Sequence, residues 1–206
     1  MDFNNYFDII DENLVFAKLS MGQKNHFFIL MIISLYRISN KLKPTTMNWY
    51  VLFIAAAIPL VTGAIWYNPK VLGNGWMKAY GFDPEKAKGS NMVLIFALTY
   101  LLSFFLAAQL MSLVVHQVHI FSIFANDPTA KDAGSEMMMF MEKHGKEFRT
   151  FKHGAFHGFL STIMFVLPVI GITSLFERRG AKYIFIHVGY FALTLMLMGG
   201  LICATV

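Results

Sequence analysis

The sequence predicts an all-α polytopic membrane protein with about four transmembrane helices in a bundle, and three observations predict it. Largely apolar windows of about 20 residues without charge recur after position 47; aromatic pairs bracket the first of them; and Lys and Arg fall between the windows. A charge-free window of that length suits a bilayer because backbone polar groups in hydrocarbon must find partners within their own helix. The composition agrees: 56% of the 206 residues are apolar and 14% charged, and the mean hydropathy is +0.54, well above that of soluble domains. A formal net charge of +5 would suit nucleic acid, but the basic residues form no stripe, so the lipid bilayer is the expected partner and nucleic acid is not. The single cysteine, Cys203, excludes an internal disulfide and any cysteine-based metal motif.

The first spanning helix is expected over 47–67, with Trp49 and Tyr50 at one end and Trp66 and Tyr67 at the other as two aromatic belts. Pro59 should kink it, and Ala55, Pro59 and Gly63 at four-residue spacing offer a flat stripe to a neighbour. The connection 68–90 carries Pro69, Gly73, Gly75 and Gly81, an interfacial re-entry at Trp76 and Tyr80, and a helix-start signal at Asp83, Pro84 and Glu85. The second helix is expected over 91–113. Its uncharged window runs on to Asn126 through Gln109, His116, Gln117 and His119, so this remainder projects from the membrane or lies in a polar interior.

The connection 127–152 opens on Asp127 and Pro128, another helix-start signal. Within it Met137, Phe140, Met141, His144, Phe148 and Phe151 recur at helical spacing, which predicts a short amphipathic helix at the membrane surface. The third helix is expected over 153–176, with Pro168 as a kink. The fourth covers 183–204. A tight turn at Glu177, Arg178, Arg179, Gly180 and Lys182 makes these two antiparallel neighbours.

Residues 1–46 form an N-terminal extension to the four-helix domain 47–206. They begin acidic (Asp2, Asp8, Asp11, Glu12) and hold one apolar run, Phe27 to Tyr36, that is too short to span. An interfacial helix, a fifth spanning helix stretched over flanking residues, and a non-native start upstream of Met47 are all compatible with this composition. Orientation depends on that choice. The positive-inside rule weakly favours a cytoplasmic N-terminus for the full chain, and the sign reverses if translation begins at Met47.

From Met47 onward the order of features resembles the bacterial membrane family catalogued as domain of unknown function 1761. The resemblance is carried by Trp66, Tyr67, Pro69, Gly73 and Trp76 in WYNPKVLGNGW, then Gly81 and Phe82; by His153, Gly154, His157 and Gly158 in an HG..HG element; by Pro168, Phe176, Glu177 and Arg178; and by Gly189, Tyr190, Met198 and Gly199. It implies four membrane helices in a bacterial inner membrane and a chain that starts near Met47. It implies no activity.

Histidine is the sharpest chemical lead, since spanning segments seldom keep a polar side chain without a use for it. His116 and His119 lie towards the far end of the second helix and His153 and His157 at the start of the third, so an antiparallel hairpin brings both pairs to one side. Four imidazoles there could bind zinc or another transition metal, or haem; the plainer alternative is a set of interfacial side chains bonded to backbone, water or headgroups. The glutamate of the zinc-protease pattern is missing. Gly154 and Gly158, with Gly63 and Gly200, are read as helix-packing positions, within the bundle or between subunits of a homo-oligomer. The sequence assigns no catalytic residue and no cofactor. It fits a non-enzymatic structural, lipid-interacting or accessory membrane protein, a metal or redox protein using the histidines, or a small-solute carrier. Against the carrier, no acid or base lies at mid-membrane.

Overall fold

The structure of the protein, a computed structural model, describes residues 33–34, 48–83, 85 and 88–206. The expectations for the N-terminal extension, Ile33 and Ser34 apart, lie outside the described residues. A boundary between Ile38 and Ser39 divides the chain into two units, and the helices named next belong to the second. They are α1 (Tyr50–Trp66), α2 (Pro69–Tyr80), α3 (Met92–Val114), α4 (Gln117–Ile123), α5 (Glu136–His144), α6 (Phe151–Phe176) and α7 (Ala181–Thr205). Among the described residues there is no strand. The fold is all-helical. α3, α6 and α7 are long and apolar enough to cross a membrane, and α1 with α2, bent by 52° at their junction, makes a fourth such path.

That bend explains the WYNPKVLG sequence. The residue before a proline is disfavoured in helical conformation, and Asn68 is extended (φ −63°, ψ 136°) while its side chain accepts the Lys70 N–H. Pro69 then starts a wide π turn over Pro69–Gly73, in which the Gly73 N–H reaches back to Asn68 O. A Cβ at Gly73 would collide with the Tyr67 and Asn68 backbone, so only glycine closes this turn. Gly81 ends α2 in the left-handed region (φ 74°), as glycine does at helix C-termini.

α6 carries a second π turn, Thr162–Val166, where the Leu167 N–H bonds Thr162 O. It lies just before Pro168, whose ring removes a donor and crowds the carbonyl four residues back, and such turns relieve that conflict. Two sequence expectations are corrected. The helical spacing read through Phe148 stops at His144, because the chain turns at Gly145 and Phe148 adopts φ 60°. Nor does Asp127 begin a helix: its carboxylate accepts the Thr129 N–H and hydroxyl in a local turn, and those hydrogen bonds hold the carboxyl below its usual range.

α7 is the centre of the bundle, packed against α6, α1 and α3, with Leu195, Met198, Leu201 and Ile202 fully buried. Lipid tails are as apolar as leucine, so in a bilayer such a centre is held by close packing and interhelical hydrogen bonds. Both are present. A Cβ at Gly154 would strike Gly199 O, and one at Gly158 would strike Leu195 O, so α6 and α7 touch backbone to backbone. A Cβ at Gly200 would strike the Phe151 ring, and one at Gly63 would meet only the Tyr190 ring at ordinary contact distance (3.6 Å). Between α1 and α7, Thr62 and Thr194 share a hydrogen bond of 2.8 Å, the Tyr190 hydroxyl donates to Pro59 O (2.9 Å), and the Trp66 indole donates to Ile186 O (3.0 Å).

Candidate metal centre

Three of the four predicted histidines meet. α3 ends at Val114, and the extended backbone of Val115 (φ −110°, ψ 90°) swings the chain out of the helix and makes His116 the residue before α4. α6 begins beside it: the Thr150 side chain accepts the His153 N–H (3.2 Å), and His153 and His157 then project from one face, four residues apart. One ring nitrogen from each of His116, His153 and His157 lies within 4.8 Å of the others. The Nε2 atoms of His153 and His116 are 2.9 Å apart, and the ring centroids are 4.5–5.2 Å apart.

His119 is not part of the cluster. The break at Val115 gives α4 its own direction, and His119 Nε2 bonds Ser112 O instead (2.7 Å). Nothing in the residue pattern marks that break, because Leu113, Val114 and Val115 continue the apolar run.

Phe148 is a member of the site that spacing did not find. Its left-handed backbone is uncommon for a bulky residue, and it sets the ring 5.2 Å from His153 and 6.3 Å from His116. The segment around it is tied down on two sides. Gln117, buried, donates from its amide to His144 O (3.3 Å) and Glu147 O (2.9 Å). Arg149 bonds the Cys203 and Val206 main-chain oxygens at the end of α7, a favourable place for a cation.

The chemistry of the three rings is that of an open ligand set. Neutral imidazole offers one lone pair, and among the described residues the only hydrogen bond these rings make is the one between His116 and His153. Among the described residues no carboxylate joins them: Glu147 pairs with His144 (2.9 Å). Zinc–nitrogen bonds of about 2.0–2.1 Å at tetrahedral angles put ligand nitrogens roughly 3.3 Å apart. The observed spread brackets that value, and three ligands would leave a fourth position open.

His187 lies at the other end of α7 and has both ring nitrogens engaged. The Trp76 indole donates to its Nε2 (3.2 Å) and the Tyr67 hydroxyl meets its Nδ1 (2.9 Å). Indole can only donate, so Nε2 is the acceptor and the ring proton sits on Nδ1. Tyr183 closes the ring's third side at 4.4 Å between centroids. Arg179 completes this end, lying over the Tyr80 ring (4.7 Å) and bonding Tyr80 O and Glu177.

The family described as a protein of unknown function, DUF1761, matches residues 50–203. No curated protein and no solved structure matches the chain.

Proposed function

The chain belongs to the DUF1761 family, and we propose that it is a multi-pass protein of the bacterial inner membrane that holds a first-row transition-metal ion at His116, His153 and His157. The convergence of three imidazoles from two helices on one point carries this reading. Interfacial histidines serving only headgroups or water have no reason to aim at each other, and like-charged rings so close would repel if protonated. A cation removes the conflict, since it uses three lone pairs at once. An all-nitrogen set of this kind suits Zn²⁺, Cu²⁺ or Ni²⁺. The open fourth position is the arrangement of sites that bind a further ligand, whereas purely structural zinc sites are closed.

The membrane placement rests on the three long apolar helices and the bent fourth path. A structural or accessory role needs the same bundle but leaves the histidine geometry without a purpose.

Detergent-purified protein should carry about one equivalent of metal per chain, and Co²⁺ loading should give visible d–d bands. A His153→Ala, His157→Ala double variant of equal thermal stability should be metal-free and colourless. If wild type is metal-free as isolated and gives no Co²⁺ spectrum, the metal reading is wrong.

A further inference from the structure

Beside the histidine cluster lies a cavity of about 540 Å³ between α3 and α6, floored by Leu195 of α7, a size typical of small-molecule sites. It is asymmetric. At the end near the cluster the lining includes Gln109, His157 and Ser161; towards the other end it is Leu106, Met164 and Phe165. At 1.5 Å per residue, the lining from His157 to Val166 extends roughly 13 Å along α6. The far wall is the π turn itself, a feature found often at functional sites. No Asp, Glu, Lys or Arg lines the cavity among the described residues.

Two further facts define the occupant. Met164 and Phe165 are 75% and 71% exposed on the apolar side of the bundle, so the cavity opens sideways towards hydrocarbon. At the polar end the Gln109 side chain makes no hydrogen bond among the described residues, and the Ser161 hydroxyl, which donates to His157 O (2.8 Å), keeps its lone pairs as acceptors. An apolar wall with a short polar end matches an amphiphile. The absence of charged lining disfavours a phosphate or ammonium head, which would have to be desolvated without a counter-charge.

We propose that this cavity binds a single apolar chain bearing an oxygen head group, an alcohol, carbonyl or carboxylic acid, that enters from the bilayer. The chain lies along Leu106, Met164 and Phe165 and the head lies between Gln109 and His157. The position of the head deepens the metal reading and rests on it, because an oxygen there would take the open fourth position; the chain's site does not.

The test uses the full-length protein in phosphatidylcholine vesicles with two photoreactive probes, a diazirine-bearing hexadecanol and the corresponding fatty acid, and adducts mapped by mass spectrometry. Adducts are expected within 106–113 and 157–166, about tenfold above those at the outward-facing Leu175 and Phe176. They should fall by about tenfold in Leu106→Trp, and in Met164→Trp, whose exposed position makes it the safer variant for folding. Even labelling of all lipid-facing positions, unchanged in either variant, would mean boundary lipid only and overturn the proposal. The metal content of the wild-type protein separates the two readings: cavity labelling without bound metal leaves the chain site standing and removes the metal, while bound metal with even labelling does the reverse. His153→Ala, whose side chain does not line the cavity, then tells whether the labelling depends on the metal. Labelling by the acid that is lost with the metal assigns a carboxylate head, and labelling by the alcohol in either state assigns a neutral one.

Discussion

The two ends of α7 lie beside histidines in opposite conditions. At one end His187 has both ring nitrogens occupied, by an indole that only donates and by a phenol, and aromatic rings close around it. At the other, His116, His153 and His157 have only one another, under the ring of Phe148. A satisfied imidazole fixes tautomer and position and so serves the fold. The three clustered rings share one hydrogen bond between two of them and take no donor from elsewhere among the described residues, so they stay available to a ligand. The difference shows that burial and polarity alone do not mark a candidate functional histidine; what its nitrogens already hold does.

Replacing ligands should break the comparison most. Single His116→Ala, His153→Ala and His157→Ala substitutions are each expected to weaken metal binding by about 100-fold or more in Co²⁺ or Zn²⁺ titrations, while His187→Ala leaves the affinity unchanged. Acid should act the same way: binding needs neutral imidazoles, so metal affinity should fall as pH is lowered. An affinity independent of pH would argue against histidine ligation.

Gly154→Ala comes next. Its Cβ meets the Gly199 backbone, which cannot yield as a side chain can, so a loss of about 1–3 kcal/mol is expected in detergent unfolding. Gly63→Ala, which meets only the Tyr190 ring, should stay within about 0.5 kcal/mol. Equal effects at both positions would remove the backbone contact as the organising feature of the α6–α7 pair.

Trp76→Phe should cost about 1 kcal/mol by removing the hydrogen bond to His187, with metal affinity unchanged. Smallest of all, His119→Ala should alter metal affinity less than about twofold, because its nitrogen bonds Ser112 O outside the cluster. A tenfold loss there would place it among the ligands and redraw the site.

The helices were legible in the sequence because a charge-free apolar window carries its own signal, and the expected 91–113 became Met92–Val114. The meeting of His116 with His153 and His157 was legible too, as a consequence of antiparallel order. What was not legible depended on single backbone conformations. Val115 sits in an apolar run yet leaves the helix, which parted His119 from His116. Phe148 fitted the helical spacing but lies beyond a turn in left-handed backbone. The partners of His187 required the bend at Asn68 and Pro69, since only that bend turns Trp76 back towards α7. Tyr183, four residues before His187 on the same face, was the one signal available from spacing.

The π turn in α6 also stores one residue without changing the phase of the helix. It fits one residue more than an α-helical turn into the same angle, so deleting a residue from Thr162–Val166 would let the turn relax to α geometry and leave Ser174, now 1% exposed, facing the core. The same deletion in the regular helix beyond Pro168 would rotate everything after it by about 100°. The π turn is therefore the place in α6 where the chain can change length without losing register.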